Sequence, residues 1–178
     1  RRIVVPEDML DEVIADLGER LGRTIVGDPA NPDVRMGPLA TAAQRDDAKA
    51  GVARLLEGAE VVHGELAGGP LVGVEPGRGY FVTPLLLKAS DPASAGPVHE
   101  LEVFGPVSTL LGYGGSAEAA TDIVRLGQGS LVCAIYGDDK RWLEQTVLGL
   151  AGWHGRIVVT DAKVADKALA PGMVMPHL

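Results

Sequence analysis

Helical periodicity and short apolar runs take turns along this chain, and that alternation constrains the fold more than any other feature. Met9, Leu10, Val13, Ile14, Leu17 and Leu21 recur at spacings of three and four behind Pro6, with Glu7 and Asp8 in the first turn and Gly22 at the end. That spacing places them on one face of an amphipathic helix, and acidic residues suit its positive N-terminal end. Ala48, Val52, Leu55 and Leu56 repeat the pattern up to Gly58. Ser116 can cap a third helix reaching Leu126, and residues 140–148 read as a fourth. Between the helices lie extended apolar runs at 2–5, 60–63, 80–87, 107–113, 131–136 and 156–160. Pro84 cannot donate to a sheet ladder, which predicts an edge position for the run at 80–87. Helices alternating with strands imply an α/β fold with a parallel sheet.

The connections are rich in breakers. Residues 27–38 carry Pro29, Pro32, Gly37 and Pro38 and read as loop after a short extended piece at Ile25-Val26. Residues 64–79 read as a surface loop or hairpin, 88–98 as an irregular lead-in, and 161–178 as irregular. Sheet-building runs flank the Gly-rich stretch on both sides, so 1–178 is expected to be a single domain, of ordinary size for one.

Charge and cysteine usage narrow the function classes. With a net charge of -8 and no Lys/Arg cluster longer than a pair, the chain is not expected to bind nucleic acid or an anionic membrane. No apolar run approaches the roughly 20 residues of a membrane helix. Cys133 is the single cysteine, which excludes an intrachain disulfide and suggests a reducing, cytoplasmic setting. Its apolar neighbours Leu131, Val132, Ala134 and Ile135 offer nothing to stabilise a thiolate, so it is expected to be a buried, inert thiol. His63, His99, His154 and His177 are scattered, with no metal-ligand spacing, and no metal site is expected. His154, just ahead of a core strand, suits a contact near a substrate or a structural cap.

The run Glu100-Leu101-Glu102-Val103-Phe104-Gly105-Pro106-Val107 carries the chemistry. A carboxylate can accept hydrogen bonds from both hydroxyls of a ribose, and a ring two positions on offers a flat face to a nicotinamide. The same residue types also have an ordinary use, a solvated Glu beside a turn and a core Phe at a strand start.

Taken in order, Gly27-Asp28-Pro29, Gly37-Pro38-Leu39, Gly79-Tyr80-Phe81-Val82-Thr83-Pro84 and Glu102-Val103-Phe104-Gly105-Pro106-Val107 resemble the C-terminal part of the catalytic domain of the aldehyde dehydrogenase superfamily. Arg35-Met36-Gly37, His99, Val107-Ser108-Thr109-Leu110 and Trp153-His154-Gly155-Arg156 are most similar to its phenylacetate-degradation branch, in which the dehydrogenase is fused to an oxepin-CoA hydrolase. The resemblance implies a three-layer sandwich around a parallel sheet, a small-molecule aldehyde substrate, NADP or NAD as cofactor, and a homo-oligomer. The phenylacetate branch would add a CoA-linked semialdehyde and favour NADP.

By the same resemblance Glu102 binds the ribose, Phe104 lies beside the nicotinamide, and Leu131 is an apolar position near that pocket. The thioester-forming cysteine, the general base and the dinucleotide-binding segment would precede Arg1. No catalytic residue is then expected within the chain, which alone should be inactive. Its start at Arg1 rather than Met fits a piece of something longer. Leu101 stands where the family often has a second acidic residue, and the end of the chain lacks the family's Gly-rich segment with Lys and Ser. The competing reading is an assembly domain that keeps the fold without the chemistry.

Overall fold

A computed structural model describes residues 1–94 and 96–165. They form an α/β protein in two compact units, Arg1–Gly115 and a second that starts at Ser116. The expectation for 166–178, with His177, lies outside the described residues.

The first unit is built on a four-stranded sheet in the order β1-β4-β3-β2, where β1 is Arg2–Pro6, β2 Ala59–His63, β3 Leu85–Ala89 and β4 Val107–Tyr113. β4 runs parallel to both β1 and β3, while β2 is antiparallel to β3. Side chains alternate across a strand, so the register Ile3 to Leu110 places these two on one face with Val5 and Leu86. Helix α1, Leu10–Gly22, follows a single turn of 3-10 helix and lays Val13, Ile14, Leu17 and Leu21 against that face. The stripe read from the sequence packs from Leu10 to Leu21, while Met9 lies in the 3-10 turn and is exposed. Leu87 and Leu111, fully buried, point to the other face.

Helix α2, Ala42–Leu55, begins where Thr41 Oγ1 accepts from the Gln44 N–H at 3.1 Å, and it buries Ala48, Val52 and Leu55. The loop ahead of it is pinned to the 64–80 segment. Val72 donates to the Val26 carbonyl, Asp28 donates to the Val72 carbonyl, both at 2.9 Å, and Leu39 donates to Tyr80 at 2.9 Å.

The strand expected at 80–87 is corrected in extent and place. Only Leu85–Ala89 pairs, and it lies inside the sheet between β4 and β2, not at an edge. Pro84 sits one residue ahead of the ladder, where its missing N–H breaks nothing, and Leu85 makes the first bond by donating to Pro106 at 2.9 Å. The irregular lead-in also contains a short helix, α3, Gly96–Glu100, with Pro97 in its first turn, where proline is tolerated.

The second unit pairs β5, Ser130–Tyr136, in parallel with β6, His154–Thr160. Helices α4, Ala117–Arg125, and α5, Lys140–Leu150, pack on one another, and a short α6, Ala162–Ala165, follows β6. The cap expected at Ser116 holds, its Oγ accepting from Ala119 at 3.1 Å, and Asp139 caps α5, its Oδ1 accepting from Arg141 at 2.9 Å and Trp142 at 3.1 Å. Arg125 donates from Nε and Nη2 to the Gly149 carbonyl at 3.2 and 2.7 Å, fastening α4 to the last turn of α5. Cys133 is half-buried rather than buried, because β5 has a partner on one side only among the described residues.

Candidate functional site

Glu102 and Phe104 follow α3 and precede β4 in a segment without regular structure. Leu101 and Val103 turn inward and are half-buried, whereas Glu102 and Phe104 are exposed, the ring at 73%. A phenylalanine so open to water is not part of the core of this unit.

Both residues line a groove of about 460 Å³ whose opposite wall is one face of α2, formed by Gln44, Asp47, Ala48, Gly51 and Arg54. These helix positions were missing from the sequence-derived set. Their spacing of three and four runs along the border of the buried stripe Ala48, Val52 and Leu55, a signal that could have marked α2 as a wall. The walls meet closely: a Cβ added at Gly51 would stand 2.7 Å from Val103 Cγ2, and one at Gly105 would stand 3.3 Å from Ala48 Cβ.

The groove offers a carboxylate with lone pairs for hydroxyl donors, an amide at Gln44, a guanidinium at Arg54 and an exposed ring. Gln44 Oε1 already accepts from the Ala40 N–H at 3.1 Å, so the outer turn of the wall is held in place. This set can accept from hydroxyl donors at the carboxylate and offer a flat apolar face at the ring. It contains no thiol, hydroxyl nucleophile or histidine, so the groove can bind and orient but cannot attack a carbonyl. Leu131 belongs to the second unit, at the start of β5, and is 87% exposed.

His99, just upstream, anchors the approach to this segment. It is half-buried, with Nδ1 3.0 Å from Arg2 Nη1 and Nε2 2.7 Å from the Pro92 carbonyl. The guanidinium can only donate, so Nδ1 accepts and Nε2–H donates, which is the neutral ring. Burial is the main force holding its pKa below the ordinary 6.5; the Arg2 charge adds to the lowering, while the Pro92 hydrogen bond and Glu100 oppose it. A histidine with a depressed folded pKa contributes stability that is whole above the unfolded value and drains away as the pH falls below it. Between about pH 7.5 and about pH 5.5 the wild type should therefore lose stability relative to His99→Gln. Urea midpoints of the two proteins across that range would test it, and parallel profiles would refute it.

The other described histidines, His63 and His154, lie outside this groove. Nδ1 of His63 would lie 3.2 Å from a Cβ at Gly18, so this ring packs on the small-residue face of α1. His154 Nδ1 lies 2.9 Å from Ser130 Oγ, at the first rung between β5 and β6. A second hollow of about 380 Å³ between α4 and α5 is lined by Ser116, Glu118, Thr121, Arg125 and Gln145. Ser116 and Arg125 are committed to helix ends there, and the Thr121 hydroxyl donates to the Glu118 carbonyl at 2.8 Å. Among the described residues no group of His, Cys, Asp and Glu could hold a metal, and no helix is long and apolar enough to cross a membrane.

The model of the aldehyde dehydrogenase family matches residues 1–166. The chain is 37% identical over 176 residues to 3,4-dehydroadipyl-CoA semialdehyde dehydrogenase of Aromatoleum evansii, covering 99% of this chain and 34% of the relative. It is 35% identical over 112 residues to an NADP+ succinate-semialdehyde dehydrogenase of Deinococcus radiodurans, covering 62% of this chain and 21% of that protein. Among solved structures, aldehyde dehydrogenase C of Pseudomonas syringae, crystallised as a mutant with NAD+ and octanal, superimposes with a TM-score of 0.72 at 28% identity, over 89% of this chain and 31% of that one. The chain thus spans about a third of the length of the first of these relatives.

Proposed function

The chain belongs to the aldehyde dehydrogenase family, and from that premise we propose that it is the part of an NAD(P)-dependent aldehyde dehydrogenase that receives the nicotinamide riboside. The observation that carries this reading is the joint exposure of Glu102 and Phe104 along one groove. When bound, the dinucleotide supplies the hydride acceptor. Glu102 accepts hydrogen bonds from the ribose hydroxyls, and its charge makes those bonds stronger than a neutral acceptor would. Phe104 covers one face of the nicotinamide, which limits its swing and keeps water from that side. Both units are parts of one catalytic domain in this reading.

In this proposal the nucleophilic cysteine and its general base come from a preceding segment of a longer polypeptide, and the 178-residue chain alone has no turnover. The Aromatoleum relative supports a CoA-linked semialdehyde as substrate class. NADP and NAD both remain within the proposal, since the Deinococcus relative is named for the first and the Pseudomonas structure holds the second. A cytoplasmic homo-oligomer completes it.

The test is steady-state kinetics of the full-length polypeptide with each coenzyme. Losing a charge-assisted hydrogen bond is worth about 1.5 to 3 kcal/mol, so Glu102→Gln should raise the coenzyme KM about tenfold or more, with the aldehyde KM little changed. An unchanged coenzyme KM would remove Glu102 from the cofactor site and leave the silent assembly domain as the better account.

A further inference from the structure

Glycine in the interior of α2 is unfavourable for the helix itself, since it gives up more backbone freedom than alanine would. Gly51 nevertheless stands in the last third of that helix, and its surroundings show what the missing side chain permits. A Cβ there would lie 2.7, 3.4 and 3.6 Å from Cγ2, Cγ1 and Cβ of Val103. The Val103 side chain therefore occupies the space a larger residue at 51 would take.

Val103 is the residue between Glu102 and Phe104, and inward burial of its side chain is what turns its neighbours outward into the groove. One helical turn earlier the same face meets the segment again, where a Cβ at Gly105 would stand 3.3 Å from Ala48 Cβ. Two close contacts, Gly51 with Val103 and Ala48 with Gly105, fix both the depth and the direction of the segment against the helix.

We infer that Gly51 is a positioning residue for cofactor binding: its bare backbone seats Val103 and thereby sets where the Glu102 carboxylate and the Phe104 ring meet the nicotinamide riboside. The inference rests on the proposed role of Glu102 and Phe104. Bringing the methyl group added by Gly51→Ala to ordinary contact distance from Val103 requires a displacement of about 1 Å. A misplacement of that size is enough to lower catalytic efficiency by up to about 100-fold. Because Val103 is β-branched and stiff at χ1, the segment rather than the rotamer takes up the shift.

The test compares wild type, Gly51→Ala, Val103→Ala, the double variant and Glu102→Gln in the full-length polypeptide. Gly51→Ala should raise the coenzyme KM about tenfold while the aldehyde KM and the melting temperature hold. A change that merely damaged the fold would lower the melting temperature and kcat without singling out the coenzyme KM. In the double variant the smaller residue at 103 makes room for the larger one at 51, and the effect of Gly51→Ala should vanish against the Val103→Ala background.

If Glu102→Gln raises the coenzyme KM but Gly51→Ala does not, the positioning role is wrong and the cofactor site stands. A double variant impaired relative to Val103→Ala by the same factor as Gly51→Ala is relative to wild type overturns the role as well. An inert Glu102→Gln takes down the site and the positioning role together. Should Gly51→Ala fail to fold, Val103→Ala decides: a raised coenzyme KM with normal melting supports seating by Val103, and an unchanged one overturns it.

Discussion

Leu110→Ala will destabilise the first unit by about 2 to 5 kcal/mol, the range for emptying a leucine site in a packed core. Leu110 has no exposed surface and lies on β4, which pairs with β1 on one side and β3 on the other. Its side chain joins Val5, Leu10 and Leu86 in the cluster that the apolar stripe of α1 covers. Neighbours fixed by two ladders and a helix cannot close in on the space left behind, so the cavity term adds to the lost burial. Urea unfolding of the chain would show it as a lower midpoint with the slope unchanged. Leu131→Ala is the control: at 87% exposure the same truncation should cost within about 0.5 kcal/mol. Equal losses at the two sites would mean that the burial pattern described for this sheet is wrong.

The consequence reaches the groove, because β4 begins at Val107, directly after Gly105-Pro106. The Pro106 carbonyl accepts from Leu85, so the strand that carries Leu110 also anchors the end of the Glu102 to Phe104 segment. Loosening it should weaken coenzyme binding before the unit unfolds.

What was legible in the sequence is what depends on near neighbours. The α1 stripe, the 107–113 strand and the cap at Ser116 each rest on contacts within a few residues, and periodicity or side-chain chemistry announces them. The start of β3 does not. Tyr80, Phe81, Val82 and Thr83 have strong strand preference but no ladder partner, and pairing, not preference, makes a strand.

The edge assignment failed for a related reason. Pro84 excludes itself from a ladder but says nothing about the residue that follows it. In the candidate site, Glu102 and Phe104 could be found because their spacing is local. The spacing of Gln44, Asp47, Gly51 and Arg54 could mark α2 as a wall but not what it faces, since only folding brings a helix some fifty positions upstream against that segment.

Gly129→Ala is the second large effect, confined to the unit that starts at Ser116, and two independent penalties combine in it. The backbone of Gly129 has φ +107°, outside the conformations an L side chain adopts without strain, which alone costs on the order of 1 to 3 kcal/mol. A methyl group there would also stand 2.5 Å from the Trp153 carbonyl oxygen, and backbone cannot swing aside as a long side chain can. That carbonyl accepts from the Ser130 N–H at 3.2 Å, the bond that opens the ladder between β5 and β6. Relieving the clash therefore separates the strands at their first rung, and the combined loss should be about 3 kcal/mol or more. Gly152→Ala supplies the comparison, since nothing lies within 4 Å of its added methyl. There the reduced freedom of the unfolded chain should leave stability unchanged or raised by up to about 1 kcal/mol. Thermal melts of the two variants should differ by many degrees, and coincident melts would show that the turn at 128–129 bears no strain.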